Sequence, residues 1–406
     1  MEYLVRGRRL MNYLDFNCNV NIENNPLNLN IEDYLYIALR NNNKRRFLFV
    51  SKKLGKHLPV KPKQVDELGY LLAKAYKAKY KDNKKENQMV IGFAETATAL
   101  AHSFFAHLES AAYFIHTTRE EVETMKKIEF KEEHSHATQQ NLYLDNLNIT
   151  DNIDTMILVD DEITTAKTCV NMIVQFQKIH HCNKYVIVSV LNWIDKNKKE
   201  EIDEKAKELN CEIEFVYLFN GDFEFKFDEE IKLQDEIESN PINNREIEIN
   251  NINLDFKEYL GSKNYLKYTG RFGINRKDQE NLIKIIEEEG LKLKPKYDKD
   301  KILAIGIEEF MYIPMMLSKQ IKGEVYYHSI TRSPIIPNDE DEYPIKKKYK
   351  LESFYNENIN YIYNLNVNEY KECFLFMEID KCEEKIHDFI NILKSTGIKR
   401  INIVRC

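Results

Sequence analysis

The chain has 406 residues, 43% hydrophobic and 31% charged, which excludes a disordered or low-complexity chain and gives length for two domains with separate cores. A formal net charge of −7 excludes a mainly electrostatic nucleic-acid binder, and no apolar run is long enough to span a membrane, so neither partner is expected. Seven cysteines, an odd number with no CxxC pair, read as reduced thiols, and with no signal-peptide pattern the expected location is the cytoplasm.

Residues 1–30 are Asn-rich, carry a basic patch at Arg6, Arg8 and Arg9, and are expected as an irregular extension. A short helix is expected over 31–40 and a strand over 47–50. The loop SKKLGKHLP (51–59) follows, with Lys52, Lys56 and His57 as candidate cations for an anionic substrate; a solvated basic loop fits as well. Apolar spacing predicts a helix over 64–81. The strand 89–91 then runs into GFAETATALAHSFF, where Gly92 and small residues permit close backbone approach to an anion. Glu95, Thr96, Ala97 and Thr98 lie in that loop, although small residues also serve plain helix–sheet packing.

A strand over 112–116 ends in Thr117-Thr118-Arg119. The segment 126–141, with EFKEEHSHATQQ, lacks strong apolar periodicity; His134 and His136 are two residues apart without a third ligand, a weak metal pattern. The most informative stretch is MILVDDEITTAKT (156–168). Four apolar residues end in Asp160 and Asp161, a polar turn Thr164-Thr165-Ala166-Lys167-Thr168 follows, and Cys169, Ile173, Phe176 and Ile179 then recur at helical spacing. A strand, a tight polar turn and a helix N-terminus aim backbone N–H groups at one point, which suits a phosphate. Adjacent carboxylates suit hydroxyls or a divalent cation. Strands over 185–191 and 211–219 flank a charged helix over 195–209, so strands and helices alternate and a mostly parallel sheet with helices on both faces is expected.

An ATPase metal strand also reads as apolar residues followed by acids, but it needs GxxxxGK[ST], and Gly55-Lys56 is followed by His57. A buried strand ending in solvated acids is the plainer alternative. The stretch 156–168 resembles the PRPP-binding motif of type I phosphoribosyltransferases. The resemblance implies that Asp160 and Asp161 hold the ribose and Mg²⁺, and that Glu162 and Thr164 to Thr168 cradle the 5′-phosphate. It places the pyrophosphate loop at Phe93 to Thr98, with Glu95 and Thr96 at its tip and Arg119 as a further substrate contact. The 126–141 segment stands where the family carries a flexible hood, with Glu132, Glu133, His134 and His136 as acid/base candidates. Residues 51–59 resemble the amino-terminal Lys-Ser-Gly element of orotate phosphoribosyltransferases, which implies substrate contacts for Lys52 and Lys56. One departure stands out: Ala166 occupies a position where the family usually has Gly, and its Cβ disfavours a positive φ or crowds the phosphate.

The halves of the chain also match each other. VIGFAETATALAHSFF (90–105) aligns with AIGIEEFMYIPMMLSK (304–319), pairing Gly92 with Gly306 and Glu95 with Glu309; AYFIHTTRE (112–120) aligns with VYYHSITRS (325–333). CFLFMEID (373–380) stands in place of the acidic motif, followed by Lys381-Cys382-Glu383-Glu384 in place of the Thr-rich turn. Ile330-Thr331-Arg332-Ser333-Pro334, with EEFMYIP and GRFG, resembles the TRSP domain found after the PRTase_2 domain, and KRRFLFVSK, GKHLPV, EEHSHA and VDDEITT fit the latter.

The expected fold class is α/β: two mostly parallel, doubly wound sheets, a type I phosphoribosyltransferase fold plus a degenerate phosphoribosyltransferase-like second domain. The expected boundaries are an extension at 1–30, the first domain at 31–227, a linker at 228–265 and the TRSP domain at 266–406. The resemblance implies a Mg²⁺-dependent enzyme acting on PRPP or a nucleotide with a base-like or other small acceptor. It also implies a bacterial protein of tellurite-resistance or stress-response clusters that makes a nucleoside-like metabolite. A homodimer or an intrachain pseudo-dimer stays open. A non-catalytic PRPP or nucleotide sensor, or an interaction scaffold, is the alternative.

Overall fold

The apolar runs at 89–91, 156–159 and 185–188 are too continuous for one-sided burial, and each is fully buried within a strand. A computed structural model describes residues 7–13, 16–40, 42, 45–80, 87–122, 127–131, 139–143, 153–227, 246–261, 265–378 and 383–406. The chain divides into two compact units: 1–31, 67–231 and 270–279 form one, and 32–66, 232–269 and 280–406 form the other.

In the first unit, five strands run parallel in the order Glu212–Phe227, Lys184–Asn192, Thr155–Ile163, Gln88–Gly92, Ala111–His116. Helix Lys167–Ile179 packs its Cys169, Met172, Ile173 and Phe176 face into the core, with Met156, Leu158 and Ile187 from the sheet. Helix Lys196–Glu208 is capped by Asp195, whose side chain accepts from the Lys198 N–H at 2.8 Å. At the far edge, the irregular extension expected over 1–30 is instead a hairpin. Strands Gly7–Tyr13 and Phe16–Asn24 pair antiparallel, and the second pairs with the distal half of Glu212–Phe227. The other edge is closed by Ile274–Asn275, antiparallel to Ala111–His116, so GRFG precedes a strand of the first sheet.

The second unit has five parallel strands in the order Glu248–Asn253, Arg400–Arg405, Glu372–Met377, Lys301–Gly306, Glu324–Ser329. The stretch read as a linker thus supplies an edge strand. The helix expected over 31–40 is a 3-10 turn, Ile31–Asp33, and a strand, Leu35–Leu39, paired with Phe47–Ser51. The following loop lies on the second sheet: Val60 and Tyr327 exchange both backbone hydrogen bonds, at 2.9 and 2.6 Å. Helices Pro62–Tyr80 and Arg276–Gly290 each begin in one unit and continue in the other. Among the described residues, no helix is long and apolar enough to cross a membrane.

Four strands follow the same order in both sheets: 184–192, 155–163, 88–92, 111–116 against 400–405, 372–377, 301–306, 324–329. Each set is followed, after its outer strand, by an antiparallel hairpin: Lys127–Lys131 with Gln139–Tyr143, and Lys348–Glu352 with Ile359–Tyr363. Each hairpin returns to the sheet at one bridge, Thr118 to Asn141 and Thr331 to Tyr361. The fold therefore repeats. The fifth strand differs, coming last in the first unit and first in the second.

Candidate functional site

In open parallel sheets the ligand edge is the carboxyl end of the strands. Here Asp160 and Asp161 sit within Thr155–Ile163, which continues to Ile163, and both are half-buried. Asp160 Oδ1 accepts the Asp161 N–H at 2.9 Å. Burial, and secondarily the Asp160 carboxylate, pushes the Cys169 thiol well above its ordinary range, so Cys169 is a neutral packing group beside the acidic pair.

The turn after the strand enters helix Lys167–Ile179 through Ala166, at φ 55° and ψ 11°. The left-handed backbone expected of glycine is adopted here by alanine, at a cost of about 1 kcal/mol or somewhat more. Ala166 is 5% exposed and its methyl joins the core, which offsets part of that cost. It offers no side-chain oxygen to the first helical N–H groups, and the Lys167 N–H donates to Thr165 Oγ1 at 3.4 Å. Thr164, Thr165 and Thr168 are half-buried around it, and Lys167 is exposed.

The Glu95 loop starts beside the acidic pair, because the Phe93 N–H donates to the Val159 carbonyl at 3.2 Å, one residue before Asp160. Gly92 is required here: a Cβ would lie 2.5 Å from the Ala101 Cβ of helix Thr98–His107. Glu95, buried, meets the Arg119 guanidinium at 3.3 Å. Thr98 Oγ1 donates to the Glu95 carbonyl at 3.2 Å; Ala97 and Thr98 are buried, and Thr96 is half-buried. The Ala94–Glu95 peptide is cis.

The structure therefore brings the acidic pair, the 164–168 turn and the Glu95–Arg119 loop to one edge of the first sheet. Lys52 and Lys56 belong to the second unit. Lys52 Nζ donates to the Glu32 carbonyl at 2.6 Å, and Lys56, 1% exposed, donates to the Ile330 carbonyl at 2.7 Å. His57 beside it is buried, and desolvation, then Lys56 and His328, lowers its pKa to about 3. Glu132, Glu133, His134 and His136 lie outside the described residues, between the two strands of the first hairpin.

Two residues not singled out as site residues hold the Glu95 loop. The Ala94 N–H donates to Thr117 Oγ1 at 2.8 Å, the Thr117 hydroxyl donates to Gln140 Oε1, and Gln140 Nε2 donates to the Ala94 carbonyl at 2.7 Å. Both side chains are buried, at 0% and 1%. A signal existed: Gln140 alternates with the buried Leu142 on one strand face, and a polar residue on an apolar face needs an internal partner.

Among the described residues no group of three or more His, Cys, Asp and Glu side chains could hold a metal ion. The donor set at 160–161 is a pair of carboxylates, which suits Mg²⁺ completed by water and substrate oxygens.

A parallel sheet with acids and a polar turn at its carboxyl edge defines the class as a doubly wound α/β domain, a fold that takes ligands at that edge. Residues 34–222 match the phosphoribosyl transferase family PRTase_2, and residues 268–393 match the TRSP domain found C-terminal to PRTase_2. The chain is therefore a PRTase_2 domain followed by a TRSP domain. Solved adenine phosphoribosyltransferases are similar over part of the chain. The enzyme from Giardia lamblia, complexed with 9-deazaadenine, is 13% identical with a TM-score of 0.33, covering 45% of this chain and 92% of that one. The Trypanosoma brucei enzyme, in complex with AMP, pyrophosphate and ribose-5-phosphate, is 11% identical with a TM-score of 0.35, covering 48% and 80%. The Saccharomyces cerevisiae enzyme is 12% identical with a TM-score of 0.31, covering 45% and 94%. No curated protein matches the chain.

Proposed function

We propose that the chain is a Mg²⁺-dependent phosphoribosyltransferase acting on PRPP, or on a nucleotide in reverse, with a base-like or other small acceptor and a nucleoside-like product. The observation that carries this reading is the hydrogen bond from Phe93 to Val159, which starts the Glu95–Arg119 loop beside Asp160 and Asp161. In this reading the two carboxylates hold the ribose hydroxyls and stabilise positive charge developing at ribose C1. Arg119 and the Glu95-to-Thr98 loop orient pyrophosphate as it departs, and Glu162 with the 164–168 turn anchors the 5′-phosphate. Asp160 and Asp161 would hold Mg²⁺, which when bound would supply neutralisation of the leaving group's charge.

The test is incubation of the full chain with Mg²⁺, PRPP and a panel of nucleobases and small amines, with pyrophosphate release and product mass as readouts. Acceptor-dependent release supports the transferase. PRPP binding without release points instead to a sensor, and no binding contradicts both.

A further inference from the structure

The ring formed by Ala94, Thr117 and Gln140 is closed and directional. Each residue donates once and accepts once, so the three bonds polarise one another, and the ring is buried away from competing water. It joins the strand end at Thr117, the hairpin strand Gln139–Tyr143 and the backbone preceding Glu95. The backbone bridge between Thr118 and Asn141, with bonds of 2.8 and 2.9 Å, keeps Gln140 in register beside that loop.

The second unit provides an internal comparison. Gly92 pairs with Val159 and His116; Gly306 pairs with Phe376 and Ser329. Continuing those registers, Asp160 and Asp161 correspond to Met377 and Glu378, and Thr117 corresponds to Ile330. From the bridges, Gln140 corresponds to Asn360. The ring is thus absent where the acidic pair is broken. Ile330 has no hydroxyl, Asn360 is one methylene shorter, and its buried amide has no hydrogen-bond partner among the described residues.

We propose that Gln140, acting through Thr117 and the Ala94 peptide, is the positioning residue of the pyrophosphate loop, fixing the backbone that presents Glu95 and Thr96 to the leaving group. This rests on the phosphoribosyltransferase reading. It assigns Gln140 to the pyrophosphate half of the site and not to the ribose 5-phosphate half, which is built from Thr155–Ile163 and the turn after it.

The test is calorimetric titration of the full-length protein with pyrophosphate, ribose 5-phosphate and PRPP, each with Mg²⁺, alongside thermal melts. Gln140→Leu is expected to weaken pyrophosphate and PRPP by about tenfold or more while ribose 5-phosphate stays within about twofold. Gln140→Asn, which keeps an amide but shortens its reach, is expected to lose pyrophosphate affinity in the same sense and serves if the leucine variant fails to fold. Unchanged pyrophosphate affinity in a folded variant overturns the assignment, as does a parallel loss of ribose 5-phosphate, which a purely structural role produces. If the wild-type protein binds none of the three ligands, the sugar-phosphate reading itself is overturned, an outcome distinct from wild-type binding with unaffected variants.

Discussion

The two sheets share four strands in one order and a returning hairpin, yet their ligand edges differ residue by residue. In the first, half-buried Asp160 and Asp161 precede a Thr-rich turn and a helix start without acids in its first turn. In the second, Met377 and Glu378 take their place; Glu378 accepts the Leu266 N–H at 3.2 Å, and the next helix starts with exposed Glu383 and Glu384. Acids in the first turn occupy the end of the helix where an anion gains from the dipole. The hairpins differ too. In the second unit Glu308 Oε1 accepts from Ser353 Oγ and from the Phe354 N–H, both at 2.8 Å, while Lys385 Nζ donates to the Ser353 and Asn356 carbonyls at 2.7 and 2.8 Å. The protein's own groups thus bond to one another beyond the strand ends of the second sheet. The shared fold is set by strand order and glycines such as Gly306, where a Cβ would meet the Phe310 carbonyl at 2.4 Å. The two edges differ in the few residues at and just past the strand ends.

The strongest way to break this contrast is to remove the acids from the first edge. Asp160→Asn with Asp161→Asn is expected to weaken PRPP by about 3 kcal/mol or more, on the scale of lost charged hydrogen bonds, with the melting temperature preserved. Calorimetry checks it, and unchanged affinity rules out the ribose assignment.

Acid should probe the second unit. His57 titrates near 3 in the fold, lowered by burial first, against about 6.5 in the unfolded chain. The unfolded chain therefore takes up a proton first as pH falls, so stability is complete above 6.5 and declines toward 3, by up to about 1.4 kcal/mol per pH unit. His328, lowered to about 4 chiefly by burial, adds in the same direction. Denaturant melts of His57→Phe across pH 4–7 should show a shallower slope than wild type; an identical slope means His57 is not the group.

Asn360 sharpens the comparison at smaller scale. Its side chain is 0% exposed with neither amide atom paired among the described residues, so Asn360→Leu is expected to raise stability by about 1–3 kcal/mol. A loss in thermal melts would show that a buried water satisfies the amide. Ala166→Gly should do least. Relief of the left-handed backbone and the lost methyl with added chain entropy nearly cancel, leaving stability within about 1 kcal/mol and PRPP affinity kept or improved. A large affinity loss would give the methyl a role in shaping the turn.

Much of the first edge was legible because a continuous apolar run, an acidic pair and a polar turn leave few folds to choose from. The N-terminal hairpin was misread through its asparagines, although Cys18, Val20 and Ile22 alternate with polar residues and are buried. Alternation outweighs composition there. Residues 35–39 are too short for an amphipathic helix, and their pairing with 47–51 fixed a strand instead. At Gln140 the need for an internal partner was legible, but the ring was not, because it depends on a bridge between residues 23 apart whose register no local pattern specifies. Placement of 32–66 in the second unit was equally hidden, since it rests on long-range pairings such as Val60 with Tyr327 and Arg40 with Ile335.

The most direct test of a competent first edge and a self-filled second one is the stoichiometry of PRPP binding to the full chain with Mg²⁺. The account predicts one site per chain, lost with Asp160→Asn and Asp161→Asn and untouched by Glu378→Gln. Two sites per chain, or a single site that disappears with Glu378→Gln and survives loss of both aspartates, would contradict it.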